Sequence, residues 1–170
     1  MFAVLITGAP GSGKTTYLTA LTDVLADDEI PHAVLDADEV SWAYPYPDLE
    51  ARAEYLSRAA SAHRDRGHNL LLVGEVVESS EHLAQLLAAV GADDHLLVRL
   101  TGPYMLLRQR ILAREPVEWS GTDHLLEETK RWAQVVDDLD GAHVTVDTVR
   151  TSPLQAAALI RAERPYRLGG

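Results

Sequence analysis

Apolar residues in this chain come in five short runs, and between the runs they re-space to every third and fourth position. Phe2 to Thr7 reads as a fully buried strand, after which Leu18, Leu21 and Leu25 repeat at helical spacing up to the acidic stop Asp27-Asp28-Glu29. His32 to Asp36 gives a second strand. Trp42-Ala43-Tyr44-Pro45-Tyr46-Pro47 then breaks the pattern as a loop, and Asp48 caps a helix whose inner face is Leu49, Ala53, Leu56, Ala60 and His63. Leu70 to Val73 is the third strand, bounded by Gly67 and Gly74, and Leu83, Leu86, Leu87 and Val90 mark a helix that Gly91 ends. His95 to Leu100 is the fourth strand, and Pro103 fits the first turn of a helix containing Leu107, Ile111 and Leu112. After the polar break Arg114 to Thr122, Asp123 caps a helix reaching about Leu139. Val144 to Val146 forms a fifth strand, and Ser152-Pro153 opens a last helix with Leu154, Ala157 and Ile160 inside.

Short apolar strands alternating with helices predict an α/β protein: a parallel sheet covered on both faces, with ligands at the carboxyl ends of the strands. The chain, 170 residues long, suits a single domain over 1–170 with a continuous core. It shows no internal repeat, low-complexity segment or linker, and only the tail Arg164 to Gly170 reads as loosely held.

At that carboxyl edge, directly after the first strand, stands Gly8-Ala9-Pro10-Gly11-Ser12-Gly13-Lys14-Thr15, the pattern G-x-x-x-x-G-K-[ST] between a strand and a helix. The glycines let the backbone curl its N–H groups around a phosphate, and the following helix adds its positive end. Lys14 is suited to the β- and γ-phosphates and the Thr15 hydroxyl to Mg²⁺. Gly8, Gly11, Ser12, Gly13, Lys14, Thr15 and Thr16 together form the predicted nucleotide cradle, and the ligand implied is a nucleoside triphosphate.

Charge narrows the acceptor. With 15 Lys and Arg against 26 Asp and Glu, the net −11 argues against gripping long nucleic acid and favours a small substrate. No apolar run reaches the roughly 18 residues of a membrane span. Met1 to Ile6 lacks a basic leader region, and the chain has no cysteine; both fit a cytoplasmic setting. The 7 histidines show no metal-site spacing, and His124 is the one nearest the active segments.

With these residues in place the chain resembles the small P-loop kinases, the group of nucleoside monophosphate, shikimate, gluconate and adenylylsulfate kinases. The likeness rests on the P-loop, on Leu35-Asp36-Ala37-Asp38-Glu39-Val40, similar to the D-x-D segment of gluconate- and adenylylsulfate-type kinases, and on Arg108 to Arg114. It implies a three-layer P-loop NTPase fold, a five-stranded sheet in order 2-3-1-4-5, and a short lid at about 114–122. It also implies ATP and Mg²⁺. Where the adenylylsulfate pattern has an arginine shortly after D-x-D, this chain has Ser41-Trp42, which argues against an anionic sulfonucleotide.

Asp38 is the first choice to orient or deprotonate an acceptor hydroxyl, with Asp36 in support or in the Mg²⁺ shell; either could instead cap a turn. Glu75 closes the third strand near the acceptor or the metal's waters, and Gly74 either opens the backbone to substrate or relieves crowding. Arg110 and Arg114, four apart at the entrance to the lid, are the candidate catalytic cations, with a surface ion pair as the alternative for Arg110. Trp42, Tyr44, Tyr46 and Trp119 either stack on an acceptor or pack loops. The segment around Asp147 resembles the one beside adenine in these kinases, and the absence of N-K-x-D favours ATP over GTP.

The expected activity is therefore transfer of the γ-phosphoryl group from ATP to a hydroxyl of a nucleoside, sugar or antibiotic-like acceptor. Two other readings compete: a regulatory ATPase that switches a protein partner, and a 5′-hydroxyl polynucleotide kinase, which the acidic balance disfavours. Sequence leaves the acceptor and the oligomeric state open.

Overall fold

Leu70 to Gly74 is buried at every position, and the strand around it explains the rest of the architecture. In the computed structural model, which describes residues 1–163, alternate residues of the central strands feed two separate cores. Val4, Ile6, Leu70, Leu72, Leu96 and Val98 face one side with Leu18, Leu21 and Leu25. Ala3, Leu5, Leu71, Val73 and Leu97 face the other, with Leu56, Ala60, Leu86 and Val90. A strand that is apolar at every position can only lie between two such layers.

In chain order the elements are β1 (Phe2–Thr7), α1 (Lys14–Asp27), β2 (Ala33–Asp36), α2 (Ala37–Val40), α3 (Leu49–Arg64), β3 (Leu70–Gly74), α4 (Ser80–Val90), β4 (Asp94–Thr101), α5 (Tyr104–Arg114), α6 (Thr122–Asp137), β5 (Val144–Asp147) and α7 (Pro153–Glu163). The sheet is parallel throughout and its order is β2-β3-β1-β4-β5, as the resemblance implied. The tail Arg164 to Gly170 lies outside the described residues.

Local chemistry sets the element ends. The Asp48 carboxylate accepts from the Ala51 N–H at 2.9 Å, and Gly91 takes φ 64° after α4. At the acidic stop, Asp28 caps α1 and Glu29 adopts φ 56°, a left-handed conformation that a non-glycine residue rarely takes.

The structure differs from the sequence pattern in three ways. A short helix, α2, occupies the D-x-D segment. Next, α6 begins at Thr122 with Gly121 as its cap and not with Asp123. The Thr122 hydroxyl donates to the Trp119 carbonyl at 2.8 Å, so the preceding turn starts the helix early, and Asp123 serves in its first turn. Last, Leu49, Leu112 and Leu154 are exposed and not inward. Leu49 and Leu154 lie in first turns, and Leu112 is rotated past Ile111, which takes the inner position.

Candidate active site

Strand register assembles the site. Gly74 pairs with Ile6 on one side and Asp36 on the other, so the P-loop, Glu75 and α2 all leave the sheet side by side. Gly74 is also where α1 comes closest: a Cβ there would lie 2.7 Å from Leu18 Cδ1. The glycine thus relieves crowding beneath the site.

The loop itself is held open by two glycines in left-handed conformations, Gly11 at φ 79° and Gly13 at φ 96°. Gly11 is required twice over, since a Cβ on it would meet the Leu107 carbonyl of α5 at 2.7 Å. Two features suit this loop to an anion. The Ser12 Oγ is buried without a partner, and the N-terminus of α1 has no side-chain cap, so donors there are left for an anion. The Lys14 ammonium donates to the Gly8 carbonyl at 3.0 Å, across the loop mouth. Burial lowers its pKa from the ordinary lysine value, against the opposing pull of Asp38, Glu75 and Asp36.

Next to Lys14, the Thr15 hydroxyl donates to Asp36 Oδ2 at 2.7 Å. The other oxygen of Asp36 accepts the Asp38 N–H at 3.2 Å and caps α2. Asp36 thus caps the turn, the alternative the sequence left open for it, with its second oxygen against Thr15. Among the described residues no group of three His, Asp or Glu side chains is arranged to hold a metal by itself. A hydroxyl and a carboxylate side by side next to the loop are hard oxygen donors of the kind Mg²⁺ takes.

Asp38 stands on α2 with its carboxylate largely exposed, and it meets Arg52 of α3 at 3.4 Å. The same guanidinium donates to Glu75 Oε2 at 2.8 Å, while Glu75 Oε1 accepts the Val76 N–H at 2.8 Å. Glu75 is 5% exposed, and desolvation raises its pKa above the usual carboxylate range despite Arg52. Arg52 is the site residue that the motifs do not mark. Its partner Glu75 is remote in sequence, and only the parallel pairing of β2 with β3 brings the start of α3 to it.

The two arginines of α5 part company. Arg110 is turned onto backbone: its guanidinium donates to the carbonyls of Gly11 (3.4 Å) and Ser12 (3.3 Å), and to Thr148 Oγ1 (3.2 Å) and O (3.1 Å). It lashes the P-loop to the turn after β5. Arg114 is 64% exposed, pairs with Glu115, and is close enough to depress the Lys14 pKa slightly. Of the segment expected as a lid at about 114–122, residues 115–121 form an irregular stretch between α5 and α6, with Val117 fully exposed and Trp119 laid over Gly121. His124 is exposed at the start of α6.

Two clefts bear on the site, one along the P-loop and one beside Asp38. One, of about 410 Å³, runs past Gly13, Thr16, Tyr17, Arg110 and Thr148 to Pro153. Asp147 shapes it indirectly, accepting the Val149 N–H at 2.9 Å to form the turn. The other, of about 340 Å³, is lined by Asp38, Ser41, Trp42, Tyr46, Pro47 and Arg52. Thus the structure gathers Lys14, Thr15, Asp36, Asp38 and Glu75 in one place, puts Trp42 beyond Asp38, and leaves Arg110 and Asp147 at the opposite cleft.

A parallel sheet in this order, with a P-loop at its centre and an acidic helix-capped edge beside it, defines the small P-loop kinase fold, and this chain has it. Solved structures superpose over nearly the whole length. A sugar kinase from a Janibacter species aligns with TM-score 0.68 and 18% identity, over 95% of this chain and 92% of that one. The adenylylsulfate (APS) kinase of Mycobacterium tuberculosis, in complex with AMPPNP and APS, gives 0.62 and 21% over 95% of each. A gluconokinase from Sinorhizobium meliloti gives 0.61 and 16%, over 99% and 97%. No protein-family model and no curated protein matches the sequence. Among the described residues no helix is long and apolar enough to cross a membrane.

Proposed function

We propose that the protein is an ATP- and Mg²⁺-dependent phosphotransferase that moves the γ-phosphoryl group to a hydroxyl of a small-molecule acceptor. The observation that supports this most is a separate cleft opening beside Asp38, within reach of the Lys14 and Thr15–Asp36 cluster. A nucleotide-binding loop alone needs no second cleft with a carboxylate on its rim.

In this reading the Gly11–Thr16 backbone and Lys14 bind the triphosphate, and the larger cleft by Arg110 and Thr148 takes the base. Thr15, with Asp36 in support, would hold Mg²⁺, which would supply charge neutralisation at the phosphates. Asp38 holds the acceptor hydroxyl in line and takes its proton. The hydroxyl oxygen bonds to the γ-phosphorus as the bond from that phosphorus to the β–γ bridging oxygen breaks, and the electron pair leaves on the diphosphate. Lys14 and Arg114 offset the charge that spreads over the transferring oxygens, and the lid around Trp119 excludes water.

The test is ATP consumption with Mg²⁺ against nucleosides, sugars and hydroxylated antibiotics, in the native protein and in Asp38→Asn and Lys14→Ala. Acceptor-stimulated turnover should fall at least about 100-fold in Asp38→Asn with ATP still bound, and vanish in Lys14→Ala. Unchanged turnover in Asp38→Asn removes that residue from its role. Tight ATP binding with no acceptor effect favours a nucleotide-driven switch instead.

A further inference from the structure

The cleft beside Asp38 says something about the charge and shape of its occupant. Arg52 is the one cation among its lining residues, and it is already engaged by two carboxylates, Glu75 at 2.8 Å and Asp38 at 3.4 Å. Glu75 is almost wholly buried, and its carboxylate accepts from this guanidinium and from the Val76 N–H. An acceptor phosphate or carboxylate would have to share Arg52 with these two carboxylates, both of which are held by its Nη2. Asp36 and Asp38 add further negative charge on the same side, and the neighbouring cation, Lys14, belongs to the phosphate loop. Arg58, the next cation along α3, is engaged at the surface with Glu54.

The remaining wall is aromatic. Trp42 is 83% and Tyr46 80% exposed, although both line the cleft, so neither is used in packing the fold. Tyr44 stands edge-on to Tyr46 with ring centroids 6.3 Å apart, and Pro47 adds an apolar edge. Large flat side chains left unpacked beside a polar catalytic edge suit a ligand with one apolar face and one hydroxylated edge. The cleft volume, about 340 Å³, is at the small end of ligand pockets.

We infer that the phosphoryl acceptor is an uncharged, hydroxylated molecule with a planar face, of the size of a nucleoside or an aryl glycoside, which stacks on Trp42 and Tyr46 while presenting its hydroxyl to Asp38. The inference rests on the phosphotransferase reading and adds the substrate class. Arg52 is on this account a positioning residue: it holds Asp38 and shields Glu75, and it is not the anchor of an anionic substrate.

The experiment uses matched pairs of acceptors in the ATP-consumption assay: adenosine with adenosine 5′-monophosphate, uridine with uridine 5′-monophosphate, phenyl glucoside with phenyl glucuronide, and phenyl glucoside with methyl glucoside. In kcat/KM, a neutral member should exceed its anionic partner by at least about tenfold, and the phenyl glycoside its methyl counterpart by a similar factor. Trp42→Ala should erase the second preference and keep the first, a separation that general loss of structure does not produce. Glu75→Gln releases Arg52 and should move the first preference toward the anions. Because that variant alters a buried pair, the native protein's ratios decide the matter if it does not fold. Anionic members that equal or exceed the neutral ones overturn the inference while the phosphotransferase stands. Silence of every compound, with ATP and Mg²⁺ still bound, overturns it too. Failure to bind ATP and Mg²⁺ at all sinks the phosphotransferase reading itself.

Discussion

Replacing Arg110 separates two roles that a kinase arginine can have. Sequence spacing nominates it as a cation for the transferring phosphoryl group, yet its guanidinium makes four contacts of 3.1 to 3.4 Å to the P-loop and to Thr148. A bond from a charged donor contributes about 1.5–3 kcal/mol at ideal length. Two of the four exceed the usual limit of about 3.2 Å, none is at the ideal length, and the site is only partly buried, so roughly 0.5 kcal/mol each is a fair value, and Arg110→Ala should lose about 2 kcal/mol. For a chain of this size that is a fall in Tm of roughly 4–8 °C. Arg110→Lys, whose ammonium cannot span both loops, should lose about half as much. Nucleotide affinity should weaken about tenfold in Arg110→Ala, because the two walls of the base cleft are no longer lashed together. Thermal melts of the free protein and titration with ATP and Mg²⁺ read both effects. If the Tm of Arg110→Ala stays within about 1 °C while kcat collapses, the lashing role is wrong and the catalytic one right.

Three further outcomes follow from other parts of the molecule. Gly74→Ala drives a methyl to 2.7 Å from the buried Leu18 side chain and should cost about 1–3 kcal/mol in urea unfolding; a neutral result would mean that α1 shifts freely. Glu29→Gly removes a left-handed non-glycine and should raise stability by about 1 kcal/mol, read as a higher urea midpoint; a drop would show that the Glu29 side chain has an unseen partner. Glu75, whose folded pKa lies above its ordinary 4.5, binds more protons in the native state than in the unfolded one between those two values. Its contribution to stability is therefore present at low pH and lost as pH rises from about 4.5 through the raised value, and Glu75→Gln should show a flatter decline over that window. An unchanged slope would remove Glu75 as its source.

The sheet and the phosphate loop are legible in the sequence because each depends on local pattern: apolar runs that must be buried on both faces, and glycines whose backbone conformation no other residue takes easily. Asp36 and Asp38 could be found for the same reason, sitting at a strand end in a recognisable unit. The helix faces were less legible at their ends, where Leu49 and Leu154 obey the spacing but have no neighbouring turn to bury them. Partners distant along the chain were not legible at all. Nothing in the spacing from Arg52 to Glu75 announces an ion pair, and nothing near Arg110 says that it turns to the Gly11 and Ser12 carbonyls and not into the site. Those pairings are properties of strand order and helix placement, which emerge only once the sheet is assembled.

Neither core contains a residue between Trp42 and Pro47. The segment proposed to meet the acceptor therefore contributes little to keeping the chain folded, whereas the phosphate loop is wedged against α5 through Gly11 and cannot change without cost. Substitution is thus cheap in that aromatic segment and costly in the loop. On the proposed activity, the acceptor side can be altered one exposed aromatic at a time while the donor side stays fixed.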